Sequence, residues 1–241
     1  LLNIALDNAV ALGVVVIVLF LIIPLPTFLL DFLLIVNIGL AIMILMITMN
    51  ISEALEFSIF PSLLLVTTLF RLGLNVSSTR MILRDGYAGE VIQNFGQLIT
   101  GGNIVIGVVI FLIIVLVQFI VITKGAERVA EVAARFTLDA MPGKQMAIDA
   151  DLSSGLINEQ EARARRQKIQ KEADFYGAMD GATKIVKGDA VMSIVIPLIN
   201  FVGGVIIGMV MGGGDFATVL QTYSIVTIGD QKVAQIHLKN G

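Results

Sequence analysis

Four residues along one apolar stretch are of types that do chemistry their neighbours cannot. Thr67, Arg71, Asn75 and Ser78 recur at intervals of four, four and three, which stacks them on one face of a helix. A charge at the centre of a hydrocarbon layer costs roughly 3 kcal/mol on insertion scales, so Arg71 must face a bundle interior or a watery cavity. Two readings stand side by side: the stripe is a wall of an aqueous or ion-relay path, with Arg71 and Asp31 among the relay candidates, or Arg71 is a structural cation held by neighbouring carbonyls or by Asp31. Asp189, beside Lys187, and Asp230 are expected at the mouths of two further apolar runs. Carboxylates so placed can take up and release protons and are candidates for coupling transport to a proton gradient. The alternative is a salt bridge or helix cap at the membrane edge. Asp189, Ser193, Pro197, Asn200, Gly204, Gly208 and Gly212 follow one another at three or four positions, and the glycines form two overlapping GxxxG units. Such a face admits close approach of another helix, either within the chain or between subunits. Pro197 frees the carbonyl of Ser193 and predicts a kink.

The elements that must carry these residues follow from composition. The 241 residues are 56% apolar and 15% charged, with a mean hydropathy of +0.92. That is more apolar surface than one soluble core buries, so lipid covers the rest. The absence of cysteine and the single histidine, His237, exclude disulfides, thiolate nucleophiles and clustered metal ligands. No cofactor is implied and the chain does not read as an enzyme. A net charge of −3, with no basic stripe interleaved with aromatics, argues against nucleic acid as a partner.

Apolar runs at 9–23, 27–49, 59–76, 103–123 and 190–211 predict five spanning helices in an all-α, polytopic transmembrane fold. The first run is lengthened by the apolar residues before it. A sixth begins near Phe216 and is expected to stop short after Gln231 and Lys232. That ending, with the opening at Leu1, predicts a fragment. Segment 86–102, which mixes apolar residues, polar residues and glycines, is expected to lie in the membrane interface.

Residues 124–189 hold eleven of the sixteen Lys and Arg residues, which places them in the cytoplasm by the positive-inside rule and, with four spans before them, places the N-terminus there too. Arg80 and Arg84, on the opposite side, count against that orientation. Within the loop Asn158 and Glu161 have the spacing of a capping box, and Glu159 with Arg163, Glu161 with Arg165, and Lys168 with Glu172 stand four apart. A solvated helix follows, either a plain connector or a binding surface.

The loop reads RVAEVAARFTLDAMPGKQMAIDAD over 128–151, and PLPTFLLDFLLIVN (24–37), FPSLLLVTTLFRLGLNVSSTR (60–80), VITKGAERVAEVAARF (121–136) and ADFYGAMDGATKIVKGDA (173–190) occur around it. Together these closely resemble the FHIPEP family, the export-gate proteins of flagellar and virulence type III secretion. The wording before Tyr176 is similar to the flagellar branch. The resemblance implies several transmembrane helices in a bacterial inner membrane, followed by a large cytoplasmic domain that lies beyond these residues. It implies subunits arranged in a homo-oligomeric ring, and export of unfolded flagellar subunits energised by the proton-motive force. Implied partners are other export-gate membrane proteins, the cytoplasmic export ATPase machinery and substrate–chaperone complexes. By motif position it points to Arg128, Arg135 and Asp139 in a cytoplasmic coupling loop, and to Lys187, Asp189 and Asp230 as charged residues of the relay.

The expected organisation is four spans over 1–123, a cytoplasmic loop over 124–189, span five and the start of span six over 190–230, and a divergent tail over 231–241. Two rivals remain: a membrane scaffold of the export apparatus that conducts nothing, and a small-ion secondary transporter. The second normally carries inverted repeats, and no convincing internal repeat is present.

Overall fold

The computed structural model describes residues 9–101, 103–121, 127–212 and 215–238, and among them every regular element is helical. In chain order these are α1 (Ala9–Ile22), α2 (Thr27–Asn50), a short 3-10 turn (Ala54–Phe57), α3 (Phe60–Asp85), α4 (Glu90–Thr100), α5 (Ile104–Val121), α6 (Glu127–Asp139), α7 (Met141–Ser153), α8 (Glu159–Gly212) and α9 (Phe216–Leu238). Among the described residues α2, α3 and α8 are each long and apolar enough to cross a membrane, and α4 with α5 form a pair bent by 103°, the shape of a broken span or a re-entrant loop.

Local chemistry explains several boundaries. Pro61 sits in the first turn of α3, where its missing N–H costs nothing. The helix then runs past the predicted end at 76 to Asp85, and Gly86 closes it in the left-handed conformation, its N–H donating to the Ile82 carbonyl at 2.9 Å. The capping box is present: the Glu161 N–H donates to Asn158 Oδ1 at 2.8 Å and the Asn158 N–H donates to Glu161 Oε2 at 3.1 Å.

From this box α8 runs unbroken for 54 residues, roughly 80 Å at 1.5 Å per residue. The boundary expected at 189/190 between loop and span is therefore no break in the backbone, and the helix continues through Pro197. Helix α9 likewise passes through Gln231 and Lys232, where interruption was expected. Gln231 is buried, so its polarity is turned into the bundle rather than towards lipid. Residues 239–241 lie outside the described residues.

The contacts fix relative directions. As α3 advances from Gly73 through Ser77 to Arg80, its neighbours on α1 advance from Ile17 through Phe20 to Leu21 and Ile22, so the two run parallel. Arg71 meets Asp189 and Leu83 meets Gly203, so α3 and α8 are parallel as well. Gly204 faces Tyr223 and Gly208 faces Val219, which makes α8 and α9 antiparallel. On the side where α3 begins, Lys168 of α8 pairs with Glu53 in the α2–α3 connection at 3.0 Å. The first half of α8 and residues 51–59 therefore share one side of the bundle, as an even number of crossings between them requires.

Arg80 and Arg84 both have local partners. Arg80 donates to the carbonyls of Leu21 and Ile22 at the C-terminus of α1, where a cation offsets the helix dipole. Arg84 is paired with the adjacent Asp85 at 2.8 Å.

The principal core lies where α2, α3, α4 and α9 meet, around Leu30, Leu34, Leu74, Ile82, Ile92 and Val226. A smaller cluster of Ile148, Ile157, Ala162 and Ile169 joins α7 to the first turns of α8. Within segment 86–102, expected in the interface, α4 buries Ile92, Gly96 and Thr100 against the bundle and leaves Leu98 exposed on its other face.

Candidate functional site

The polar stripe of α3 is turned inward: Thr67, Arg71, Asn75 and Ser78 are all buried. Its hydroxyls serve the helix itself, Thr67 donating to the Leu63 and Leu64 carbonyls and Ser78 to the Asn75 carbonyl. Arg71 reaches across to another helix, forming an ion pair with Asp189 of α8 in which the two side chains are 3% and 0% exposed. Asp189 was expected at the cytoplasmic mouth beside Lys187. The structure sets it level with the middle of α3, while Lys187, almost a half turn away around α8, is exposed.

Two such charges leave water together only because each neutralises the other. Desolvating one alone costs several kilocalories per mole, which the mutual attraction must return. The guanidinium Nε of Arg71 and the Oδ1 of Asp189 have no hydrogen-bond partner among the described residues.

Further along the same interior a second polar group assembles from three helices. The buried Asp230 carboxyl of α9 accepts a hydrogen bond from Asn200 Nδ2 of α8 at 3.3 Å, and Ser78 of α3 lies beside it. Asn200 Oδ1 is buried without a partner among the described residues, as is Asn37 Oδ1 on α2. Asp230 was expected at the mouth of an incomplete span and is instead inside the bundle.

The glycines Gly204 and Gly208 make this convergence possible. A Cβ on Gly204 would fall within the ring of Tyr223, and one on Gly208 would lie 2.7 Å from Val219 Cγ1. The GxxxG face therefore receives α9 of the same chain, which is the intramolecular alternative. Gly212 continues the helix, but its surroundings lie outside the described residues.

Asp31 does not join Arg71. Its carboxylate accepts hydrogen bonds from the N–H groups of Glu90 at 2.9 Å and Val91 at 3.1 Å, at the N-terminus of α4. Arg135 and Asp139 are exposed on α6. Arg128 is on the same helix, with its side chain outside the described residues, and Lys124 lies wholly outside them.

Of the predicted loop pairs, Glu159 and Arg163 stand at 3.6 Å. Glu161 is committed to the cap, and Arg165 turns to Asp151 at 3.2 Å. Lys168 and Glu172 take partners on other elements, Glu53 and Lys144.

Sequence reasoning missed the polar face of α9. Ser224, Thr227 and Gln231 are buried with Asp230 and recur at intervals of three and four. That is the same signal that identified the α3 stripe, hidden because the run was read as unfinished.

The fold and the site together define a polytopic α-helical membrane protein whose spans enclose a buried ion pair and a second buried carboxyl. The comparisons with known proteins take the assignment further. The FHIPEP family description fits residues 17–237, and the chain belongs to that family. It is 58% identical over 230 residues to flagellar biosynthesis protein FlhA of Bacillus subtilis (strain 168), covering 95% of this chain and 34% of that protein. It is 52% identical over 230 residues to low calcium response locus protein D of Yersinia pestis, covering 95% of this chain and 33% of that one. Against invasion protein InvA of Salmonella typhimurium it is 54% identical over 215 residues, or 89% of this chain and 31% of InvA. The chain thus spans about a third of the length of the curated relatives it matches. No solved structure matches it.

Proposed function

We propose that this chain is the membrane-embedded part of a type III export gate of the flagellar kind, and that Arg71, Asp189 and Asp230 form the interior path through which proton-motive force acts on export of unfolded subunits. The observation that carries the reading is the burial of an Arg71–Asp189 pair and of Asp230 at the junction of α3, α8 and α9. Ionisable groups this deep in a helical bundle are costly, and in membrane proteins they mark substrate and ion pathways by default. Family membership supplies the transport context, and the names of the relatives divide between flagellar and virulence systems.

A protonatable carboxylate whose counter-ion sits on another helix links charge to helix position. Protonation of Asp189 would leave Arg71 without its partner and favour separation of α3 from α8, and deprotonation would draw them together. The cytoplasmic segment 124–189, with Arg128, Arg135 and Asp139, would transmit such movement through the continuous α8 to the export machinery. In this reading the subunits form a homo-oligomeric ring in the bacterial inner membrane, with 124–189 on the cytoplasmic side.

The test is a full-length chimera in which this chain replaces the matching segment of the Bacillus subtilis relative. Secretion of flagellar subunits and proton flux in inverted vesicles would be measured together. Asp189→Asn and Asp230→Asn should each abolish both while leaving the protein in the membrane. Unchanged flux and unchanged secretion in both variants would leave only the scaffold reading.

A further inference from the structure

The connection from α3 to α4 is built around a contact whose purpose the buried charges do not explain. Asp31, in the second turn of α2, takes two of the unpaired N–H groups that open α4, those of Glu90 and Val91. Gly89, immediately before them, holds φ at +104°, and the place where its Cβ would stand is filled by the Asp31 carboxylate. A side chain from a distant helix thus does the work that a local N-cap residue usually does, and only glycine leaves room for it.

What α4 touches next gives the contact its meaning. It crosses α9 with no side-chain layer between the backbones: a Cβ on Gly96 would overlap the Ile225 carbonyl, and one on Gly229 would overlap the Ile92 carbonyl. Gly229 is the residue before Asp230. The position of α4 therefore sets the position of the α9 turn that carries the Asp230 carboxyl towards Asn200 and Ser78.

We propose that Asp31 is a positioning residue: by capping α4 from α2 it clamps α4 onto α9 and so holds Asp230 in register with α3 and α8. The functional consequence rests on the reading of Asp230 given above, whereas the clamp does not.

Shape and charge can be separated at this position. Asp31→Asn keeps the length and one good acceptor but discards the charge, and Asp31→Glu keeps the charge but adds a methylene where Gly89 leaves no space. Asp31→Ala removes both. The chain has no cysteine, so in a full-length chimera with any cysteine of the remaining segments replaced by serine, a single Ile92→Cys on the buried face of α4 reports α4 lifting through its rate of maleimide labelling in cell membranes. A separate Ile148→Cys, in the α7–α8 cluster, reports general unfolding.

Labelling at position 92 should be slowest with Asp31, rise only slightly with Asp31→Asn, which keeps one of the two acceptors, and rise at least tenfold with Asp31→Ala and Asp31→Glu, while position 148 stays protected throughout. Secretion should follow the same order. Equal labelling in all four proteins, or protection by Asp31→Glu with exposure in Asp31→Asn, overturns the proposal. If the Asp31 variants also expose position 148, Gly89→Ala decides: it attacks the same contact from the other side and must expose position 92 alone, and protection there overturns the clamp. Labelling as expected with secretion indifferent to it would keep the clamp and sink the assigned role of Asp230.

Discussion

Arg71→Leu removes one member of a pair whose side chains are 3% and 0% exposed, so the remaining Asp189 carboxylate has no water to turn to. Breaking a buried pair by deleting one partner costs about 3–5 kcal/mol, most of it the penalty on the charge left behind. At about 1.4 kcal/mol per tenfold change, the folding equilibrium falls by roughly two to three and a half powers of ten. Asp189→Leu should cost a similar amount by stranding the guanidinium. The double variant Arg71→Leu/Asp189→Leu strands nothing, and apolar replacement of whole buried pairs ranges from neutral to stabilising, so it should lie within about 1 kcal/mol of the parent or above it. Titration with sodium dodecyl sulfate in mixed micelles, followed by loss of far-ultraviolet ellipticity, gives all four corners of the cycle. The same double variant should be silent in secretion, because its fold is repaired and its charges are gone. Single variants losing less than about 1 kcal/mol, or a double variant losing the sum of the singles, would refute the argument that the two charges are mutually neutralising.

Gly208→Ala should separate α8 from α9 and cost about 1–3 kcal/mol by overpacking, since its Cβ would stand 2.7 Å from Val219 Cγ1. Adding Val219→Ala removes that atom but leaves Tyr223 Cε2 at 2.8 Å from the new Cβ, so it should restore only part of the loss in the same titration. Asn158→Ala should cost about 1 kcal/mol at the start of α8, seen as faster amide exchange at Glu161, whose N–H loses its acceptor, with exchange near Asp189 unchanged. Glu53→Cys with Lys168→Cys, introduced into a chain that has no other thiols, should be bridged by a flexible bismaleimide long enough to replace the two side chains whose charged ends now stand 3.0 Å apart. Failure to cross-link in membranes would show that residues 51–59 and the first half of α8 are not on one side.

Much of the architecture was legible because it is written in single helices. Apolar length marked α2 and α3 to within a residue or so at their starts, the interval of the α3 stripe showed that Arg71 points inward, and the Asn158–Glu161 spacing was enough to locate the start of α8. Each of these depends on residues within a few turns of one another. Helix periodicity assigns a residue to a face of its own helix whatever the rest of the chain does. Family membership belongs with this group, since the motifs that carry it are runs of consecutive residues.

Partners could not be read the same way. That Asp189 belongs to Arg71 rather than to Lys187, that Asp230 meets Asn200, and that Asp31 caps α4 all depend on how far one helix slides along another before their surfaces interlock. The sliding is set by steric fit at Gly96, Gly204, Gly208 and Gly229, where backbones or ring faces come into direct contact. Even the loop charges show the limit: spacing alone suits Lys168 to Glu172, yet tertiary packing brings Glu53 and Lys144 closer and each charge takes the neighbour that packing supplies. A sequence states which groups a helix face offers, and only packed helices decide which of them come within reach, because ion pairs and hydrogen bonds act over a few ångströms while a one-residue shift in register moves a side chain 1.5 Å along the axis and about 100° around it.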